Sequence, residues 1–142
     1  MTTPLSELLR NKVHRTFGTF MPEAVFEALP PENRSRVLGW VGDQQGRPII
    51  VLGDENSWIV LTDSHLIGAA ADGISALAFS SLGPGYTVRS DDPDAFDKAR
   101  ARWVRFDGSE VWLQAPSAES LALLLNLLQV VFNRNAKTIA SA

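Results

Sequence analysis

The alternation of apolar and polar residues is most regular between residues 102 and 114, where it continues on both sides of Asp107-Gly108. This dipeptide favours the two-residue type I′ turn of a β-hairpin. Such a turn predicts that Trp103 lies opposite Trp112, with both rings on the face that points away from the core. The core face is formed by the other apolar residues, Val104, Phe106, Val111 and Leu113. The outer tryptophans then need a cover: the N-terminal helices, a ligand or another subunit.

The residues that follow Pro116 predict a helix with apolar side chains on most of its circumference. One stripe faces the sheet and consists of Leu121, Leu124, Leu125, Leu128 and Phe132. A second apolar set lies outside that stripe and consists of Leu123, Leu127, Val130 and Val131. Because one contact face cannot cover both sets, we expect the second set to meet either the N-terminal helix or a second chain.

The N-terminal residues predict two helices before any strand begins. Leucine and valine recur with helical spacing from position 5 to position 13, so a helix is expected over residues 4–17. A second, short helix is expected over residues 22–29, where Pro30-Pro31 ends it.

From Ser35 onward the pattern changes to short runs rich in Val, Ile and Trp, separated by Gly, Asp and Asn. The expected strands are residues 36–41, 48–52, 57–62, 66–71, 74–82 and 86–90, followed by the final hairpin. No long helix separates these runs, which indicates an antiparallel meander and not a βαβ series. A short helix that begins at Asp92-Pro93 is expected to reach about Ala101, just before the hairpin.

Together these elements predict an α+β fold. An N-terminal helical segment (residues 1–34) precedes the main domain (residues 35–134), and a flexible tail (residues 135–142) follows it. The main domain is expected to contain an antiparallel curled sheet, or a partly open barrel, of about six or seven strands. The amphipathic C-terminal helix closes this sheet.

The order of these elements resembles the pleckstrin-homology-like (PH-like) superfold, in which a curled sheet is plugged at one end by the final helix. Residues 58–68, W-I-V-L-T-D-S-H-L-I-G, are similar to a strand–turn–strand signature of bacterial PH-like and GRAM-like domains. In that signature an apolar strand ends in Thr, continues with Asn or Asp, and resumes with a basic residue, Leu and an aliphatic residue. The resemblance covers residues 35–133, and His65 stands where those domains usually carry Arg.

The resemblance does not extend to phosphoinositide binding. Family members that bind these lipids carry several Lys and Arg around the first hairpin loop. In this chain that loop is residues 42–47, which contain one acidic residue, Asp43, and one basic residue, Arg47. A head-group phosphate would lack charge-assisted partners there, so no phosphoinositide binding is expected.

A second resemblance is to bacterial secretion-chaperone-like α+β domains. These also begin with a helix, build a small antiparallel sheet, and place a helix before a final hairpin and helix. The helix predicted over residues 93–101 fits this layout as well as it fits a PH-like one. Such proteins are usually dimers that hold extended client peptides, so this resemblance implies a different kind of partner.

Composition narrows the classes of function. The 142 residues are 45% hydrophobic and 20% charged, an ordinary balance for one domain that folds without disulfides or metals. The net charge of −3 argues against nucleic-acid binding, which usually requires a basic face. The absence of cysteine excludes disulfides, zinc–thiolate sites, iron–sulfur clusters and cysteine nucleophiles.

No signal peptide and no integral membrane segment are expected from the pattern of apolar runs. The excess of Arg over Lys and the high alanine content are typical of a GC-rich bacterial genome. We therefore expect a bacterial cytoplasmic protein.

The polar motifs indicate no catalytic, cofactor or metal site. Asp63, Ser64 and His65 are adjacent on an extended chain and should point to opposite faces, so they cannot form a nucleophile–base–acid line. The acidic run between Asp91 and Asp97 lacks the ligand spacing of a calcium loop, and helix capping explains it better.

Four basic residues form the densest positive cluster and a weak candidate for an anion-binding patch: Lys98, Arg100, Arg102 and Arg105. Arg34, Arg36 and Arg89 could extend this patch. The alternative is an ordinary solvated face on which these residues pair with nearby aspartates.

We therefore expect a non-enzymatic protein-interaction or regulatory module that binds another protein or a second copy of itself. The predicted interaction surface consists of Trp103, Trp112, Leu123, Leu127, Val130 and Val131. On this hypothesis, replacing Leu127 and Val131 with Asp abolishes association without unfolding the domain. Two alternatives stay open: a secretion-chaperone-like dimer that binds an extended client peptide, and a small-ligand-binding domain with a tryptophan-lined pocket inside the sheet.

Overall fold

The structure, a computed structural model, has an α+β architecture in which seven described antiparallel strands precede a long C-terminal helix. It describes residues 5–17, 25–42, 45–53, 57–70, 73–83, 85–89 and 102–141. The helices are α1 (Leu5–Phe17), α2 (Pro31–Trp40) and α3 (Ala118–Ser141), and short 3-10 turns lie at Phe26–Ala28 and Phe79–Ser81. The strands are β1 (Pro48–Gly53), β2 (Trp58–Thr62), β3 (His65–Ala70), β4 (Gly73–Ala78), β5 (Tyr86–Arg89), β6 (Trp103–Phe106) and β7 (Leu113–Gln114). The helix predicted over residues 93–101 lies outside the described residues.

The strands form two antiparallel groups that are joined at one point. β1 to β4 pair in sequence order, and β5 to β7 form the second group. The junction is a short ladder in which Ala69 and Ala70 of β3 pair with residues of β7. Among the described strands, β1, β4 and β5 each have a single strand neighbour, so the sheet does not close into a barrel. The prediction of an antiparallel α+β fold with a C-terminal helix is confirmed, and the sheet is open.

Both faces of the β1–β4 group are covered, which explains why β2 is buried at all five of its positions. Ile59 and Leu61 point into the main core, together with α1 and α3. Trp58 and Val60 point to the opposite face and pack against α2. The ring of Trp40 in α2 stacks on the Trp58 ring, with the ring centroids 4.2 Å apart and the ring planes at 4°. A strand buried on both faces reads as a continuous apolar run, as this one does.

α2 corrects the prediction that residues 36–41 form the first strand. Pro31 lies at the first helical position and Glu32 lies in the first turn, and both are favourable at a helix N-terminus. Val37 is buried and Trp40 is half-buried, so the apolar residues follow the helical spacing of three. A stretch of six residues is too short for the sequence pattern to separate that spacing from strand alternation. The proline pair at the start of α2 therefore begins a helix and does not end one.

The helix predicted over residues 22–29 is replaced, in its described part, by one 3-10 turn. Val25 forms an isolated antiparallel bridge with Ile50, and this bridge holds the residue in an extended conformation beside β1. Arg10 of α1 forms an ion pair with Glu27 in the turn. The segment between α1 and α2 is therefore attached both to the sheet and to the first helix.

The final hairpin forms, but its register differs from the predicted one. Trp103 pairs with Gln114, two residues beyond the predicted partner Trp112. Because a shift of two residues is even, each side chain keeps its predicted face. The predicted core residues that are buried are Val104, Phe106 and Leu113, and Val111 is half-buried against them.

The register differs because the turn is not of type I′. Gly108 has a φ of 89°, whereas Asp107 has a negative φ, and type I′ requires positive values at both residues. Asp107 instead extends the pairing with the segment before β5. Its N–H donates to the carbonyl of Gly85 at 2.9 Å, and its carbonyl accepts the N–H of Gly83 at 2.7 Å. The hydrogen bonds of Asp107 with Gly83 and Gly85, which are distant in the sequence, thus determine the type of turn.

α3 begins at a side-chain cap and is longer than predicted. The Oγ of Ser117 accepts the N–H of Ser120 at 3.0 Å, and its carbonyl accepts the N–H of Leu121 at 3.0 Å. The helix continues to Ser141, so helical backbone runs through the residues predicted to form the tail.

The second apolar set on α3 is covered within the chain. Leu123 and Leu127 are 0% exposed and Val131 is 1% exposed. They share one core cluster with Leu9 of α1, which packs along α3, and the half-buried Val130 packs against the same cluster. The burial of Leu123, Leu127 and Val131 corrects their assignment to an outer interaction surface, whereas Val130 is only half-buried. Of the two covers expected for them, the structure shows the N-terminal helix.

Candidate functional site

The outer face of the β5–β7 group carries a cluster of arginine and tryptophan side chains, which we call the arginine–tryptophan face. It consists of Arg89 on β5, Trp103 and Arg105 on β6, and Trp112 just before β7. Each of these residues is next in sequence to a residue that packs in the core. The two-residue period of a strand therefore directs the four side chains outward.

The guanidinium group of Arg89 lies at the centre of this face. Its carbon is 5.3 Å from the centroid of the Trp103 ring and 4.4 Å from the Trp112 ring. The guanidinium carbon of Arg105 is 5.5 Å from the Trp112 ring. Cation–π attraction acts within about 6 Å and contributes about 0.5–1 kcal/mol per contact at exposed sites. The rings of Trp103 and Trp112 thus attract both cations.

The face combines half-buried rings with exposed cations. Trp103 and Trp112 are half-buried, whereas Arg89 and Arg105 are exposed. A guanidinium that lies over a ring keeps its N–H groups in its own plane, where they can donate two parallel hydrogen bonds to a carboxylate. The arrangement is therefore suited to bind a planar anionic group beside an aromatic surface.

The structure brings together three of the residues selected from the sequence, namely Trp103, Trp112 and Arg105. The central residue, Arg89, was only a possible extension of the basic patch. It reaches the tryptophans because β5 pairs with β6 in a register that sets Arg89 opposite Trp103. Residues 90–101 separate these strands in the sequence, so no local signal indicates that pairing.

The other members of the predicted basic patch are distributed elsewhere. Lys98 and Arg100 lie outside the described residues. The Nε of Arg102 donates to the carbonyl of Ala115 at 3.2 Å, so its side chain joins β6 to the chain just before α3. Arg34 and Arg36 belong to α2, which packs on the β1–β4 group and not on the β5–β7 group.

The turn between β2 and β3 contains a contact that the sequence argument excluded. The Oγ of Ser64 lies 2.8 Å from Nδ1 of His65, because the backbone bends at residues 63 and 64 and adjacent side chains do not alternate there. The Oγ1 of Thr62 accepts the N–H groups of Ser64 at 3.1 Å and His65 at 2.8 Å. A carboxylate oxygen of Asp63 accepts the N–H of Arg47 at 3.2 Å. These bonds stabilise the turn and attach it to the start of β1.

A cleft of about 650 Å³ lies where the three helices meet the start of β1. Its lining is partly apolar and partly charged and consists of Leu5, Phe26, Glu27, Leu38, Arg47, Pro48, Ile49, Asp63 and Arg134. This volume is typical of small-molecule sites. The cleft differs from the pocket expected for a small-ligand-binding domain, because this lining has no tryptophan and lies outside the sheet.

Within the part of the chain that the structure describes, no group of three His, Asp or Glu residues is placed to hold a metal ion. The acidic run between Asp91 and Asp97 falls outside that part. None of the described helices has the length and apolar character needed to cross a membrane.

Comparison of the chain with protein-family models, with curated proteins and with solved structures found no match. Function is therefore inferred from the residues that the fold brings together. Two features of the described residues stand out: the arginine–tryptophan face and the open edge of β4.

Proposed function

We propose that this chain is a non-enzymatic protein-interaction module with a PH-like fold, and that the arginine–tryptophan face binds an acidic segment of a partner protein. The supporting observation is that the Arg89 guanidinium lies over both the Trp103 ring and the Trp112 ring. The order of elements, antiparallel strands followed by one long helix, supports the PH-like part of the proposal.

Tryptophan and arginine are among the side chains that most often dominate the energetics of protein interfaces. A tryptophan ring offers a large contact area with only two rotatable bonds, so little side-chain entropy is lost on binding. Arg89 and Arg105 already contact rings in the single chain, which restricts their rotamers before a partner arrives. The face is therefore preorganised for binding.

Charge favours an acidic partner. The chain has 16 acidic and 13 basic residues, so a surface that presents two exposed arginines on tryptophan rings differs in sign from the chain as a whole. A carboxylate that pairs with Arg89 receives charge-assisted hydrogen bonds, which are about twice as strong as neutral ones. A segment with several Asp or Glu residues matches this chemistry.

The binding site is tested by titrating the ¹⁵N-labelled protein with a synthetic peptide that alternates Glu and Gly. The chain has four tryptophans, so four indole N–H signals report on the site. We expect the signals of Trp103 and Trp112 to shift. Those of Trp40 and Trp58, which stack on each other in the other strand group, should stay unchanged and serve as internal controls.

A matched pair of variants separates specific binding from general charge attraction. Arg89→Gln should weaken binding of the acidic peptide about tenfold, because a charge-assisted pair is lost. Arg47→Gln removes another exposed arginine, which lies just before β1, and should change the affinity by less than about twofold. Equal weakening in both variants would contradict the proposal, as would shifts at Trp40 and Trp58.

A chaperone-like dimer that holds an extended client is a second candidate, which the open edge of β4 favours. A client segment would add a strand at that edge through backbone hydrogen bonds. In that case an extended peptide without acidic residues should protect β4 amides from exchange and leave the Trp103 and Trp112 indole signals in place.

A further inference from the structure

β4 is an edge strand whose outer side is open among the described residues. It pairs with β3 along its whole length, in a continuous register that sets Ala78 opposite His65. No described strand pairs with its other side. Ile74, near the start of β4, is a large apolar side chain and is 62% exposed.

The hydrogen bonds with β3 determine which backbone groups of β4 point outward. Ala70 and Gly73 flank a two-residue connection, so these two residues exchange hydrogen bonds with each other. The N–H of Phe79 donates to the carbonyl of Ser64 at 3.0 Å. Residues 79 and 73 are both odd-numbered, so the hydrogen-bonded positions alternate in the same way along the whole strand. The odd-numbered residues of β4 therefore bond to β3. The N–H and C=O groups that point to the open edge belong to Ile74, Ala76 and Ala78.

β4 lacks the features that usually prevent an edge strand from pairing. Edge strands are normally protected by charged side chains, proline or a bulge. Residues 73–78 are G-I-S-A-L-A, with no charge and no proline. The continuous register with β3 contains no bulge either. The edge is therefore able to accept another strand.

We infer that β4 is a dimerisation edge, at which the β4 strands of two copies of this chain pair antiparallel about a two-fold axis through Ala76. In such a pair, outward-facing residues must meet outward-facing residues. A two-fold axis through Ala76 pairs all three outward-facing residues. Ala76 then lies opposite its own copy, and Ile74 lies opposite Ala78 of the partner subunit. This pairing forms about six backbone hydrogen bonds and continues the sheet from one copy into the other.

Side-chain size and charge favour a second copy as the occupant. The outward-facing residues of β4 have their side chains on the α2 face of the sheet, where Ala76 packs against Trp58 and its neighbours. The two-fold pairing places the large Ile74 beside a small alanine on that face. It sets no charge against a like charge, because β4 is neutral. Ile74 also loses water-exposed apolar surface when the strands pair.

The register is tested by cysteine cross-linking, for which the natural chain is suited because it contains no cysteine. Ile74→Cys and Ala78→Cys chains are mixed in equal amounts under mild oxidation. Opposed residues of a hydrogen-bonded pair have Cα atoms about 5.5 Å apart, within reach of a disulfide. Two copies of residue 74 are about 14 Å apart, and so are two copies of residue 78. We expect the mixed disulfide to form at least about tenfold faster than either self-linked species.

The contribution of the edge is tested by sedimentation equilibrium of the full chain. The natural protein should show a monomer–dimer equilibrium, and Ile74→Lys should raise the dimer dissociation constant at least about tenfold, because an edge lysine opposes strand pairing. Leu38→Lys is the matched control, since Leu38 is a 55% exposed apolar side chain on α2. It should leave the constant within about twofold. Circular dichroism checks that both variants are folded.

Several results would overturn the inference. One is a natural chain that stays monomeric at high micromolar concentration. Others are a dimer that Ile74→Lys does not weaken, equal rates for mixed and self-linked disulfides, or an extended peptide that adds to β4 while the protein remains a monomer. The arginine–tryptophan face belongs to the other strand group, so these results leave the proposed acidic partner untouched.

Discussion

Gly46 illustrates, at the scale of a single residue, how a contact between distant segments depends on the absence of a side chain. Its φ is 91°, a conformation that strains any residue with a Cβ atom. A Cβ added there would lie 2.7 Å from Oγ of Ser64 and 2.8 Å from Oγ1 of Thr62. Thr62 is 0% exposed, and its hydroxyl donates to the carbonyl of Gln45 at 2.6 Å. The β2–β3 turn is thus packed directly against the backbone before β1.

We predict that Gly46→Ala lowers the free energy of unfolding by about 1–3 kcal/mol, through both backbone strain and overlap with the β2–β3 turn. The matched control is Gly39→Ala in α2, where an added Cβ meets no atom within 4 Å. That change should stabilise the protein by about 0.5–1 kcal/mol, because alanine favours a helix over glycine. Urea unfolding followed by tryptophan fluorescence measures both values. Equal effects in the two variants would contradict the packing of Gly46 described above.

At the scale of elements, α2 is attached to the sheet through a small cluster of its own. Val37 is buried and the half-buried Trp40 stacks on Trp58, so these two residues provide the apolar contact of the helix with the sheet. The main core lies on the other face of the same strands. The two clusters are separated by β1–β4, so α2 should open more easily than α3.

We predict that Trp40→Ala lowers the free energy of unfolding by about 2–3 kcal/mol, because the stacked ring contact with Trp58 is lost. Amide hydrogen exchange should accelerate in α2 by a larger factor than in α3. Leu38→Ala, two residues away on the exposed side of the same helix, should change stability by less than about 0.5 kcal/mol. If exchange accelerated equally in α2 and α3, the two clusters would form one cooperative unit.

At the scale of the whole molecule, α3 packs along α1, and both helices share one core with the sheet. Its residues contribute to a core that also contains side chains from β1, β2, β3, β6 and β7. The same helix is the last element of the described chain, so the core is completed by residues far apart in sequence. Leu127, which is 0% exposed, is part of this core.

We predict that Leu127→Asp lowers the free energy of unfolding by more than about 4 kcal/mol, because a carboxylate is buried without a partner. This reverses the expectation drawn from the sequence, in which Asp at both Leu127 and Val131 abolished association and left the domain folded. Ala122→Asp is the control, because residue 122 is exposed on the same helix. Its effect should be less than about 1 kcal/mol. Thermal unfolding followed by circular dichroism distinguishes the two, and a folded Leu127→Asp protein would contradict the helix packing.

Local signals explain the parts of the fold that the sequence predicted correctly. α1 and α3 have long apolar stripes with helical spacing, and such spacing is distinctive over many residues. The β2–β3 and β3–β4 hairpins follow from short turns between apolar runs. For α2, three apolar residues within a short stretch were compatible with either period, so the sequence pattern alone selected the wrong element.

The candidate site was predicted only in part, for a physical reason. Trp103, Trp112 and Arg105 belong to one hairpin, and the even register shift kept their side chains on the expected face. Arg89 joined them only because β5 pairs with β6, a contact between segments separated by residues 90–101. Likewise, the sequence showed that α3 needs a second cover but not which surface supplies it.

The sequence by itself determined the α+β class, the hydrophobic faces of α1, α3 and the final hairpin, and the absence of cysteine chemistry. These properties depend on residue type and on spacing along the chain, which short-range physics converts directly into local structure. Only the tertiary structure decided the register at Asp107, the cover over Leu127 and the open edge of β4. Each of these is a contact, or a missing contact, between segments far apart in the sequence. Such contacts contribute to stability only in the folded chain, so local residue preferences do not reveal them.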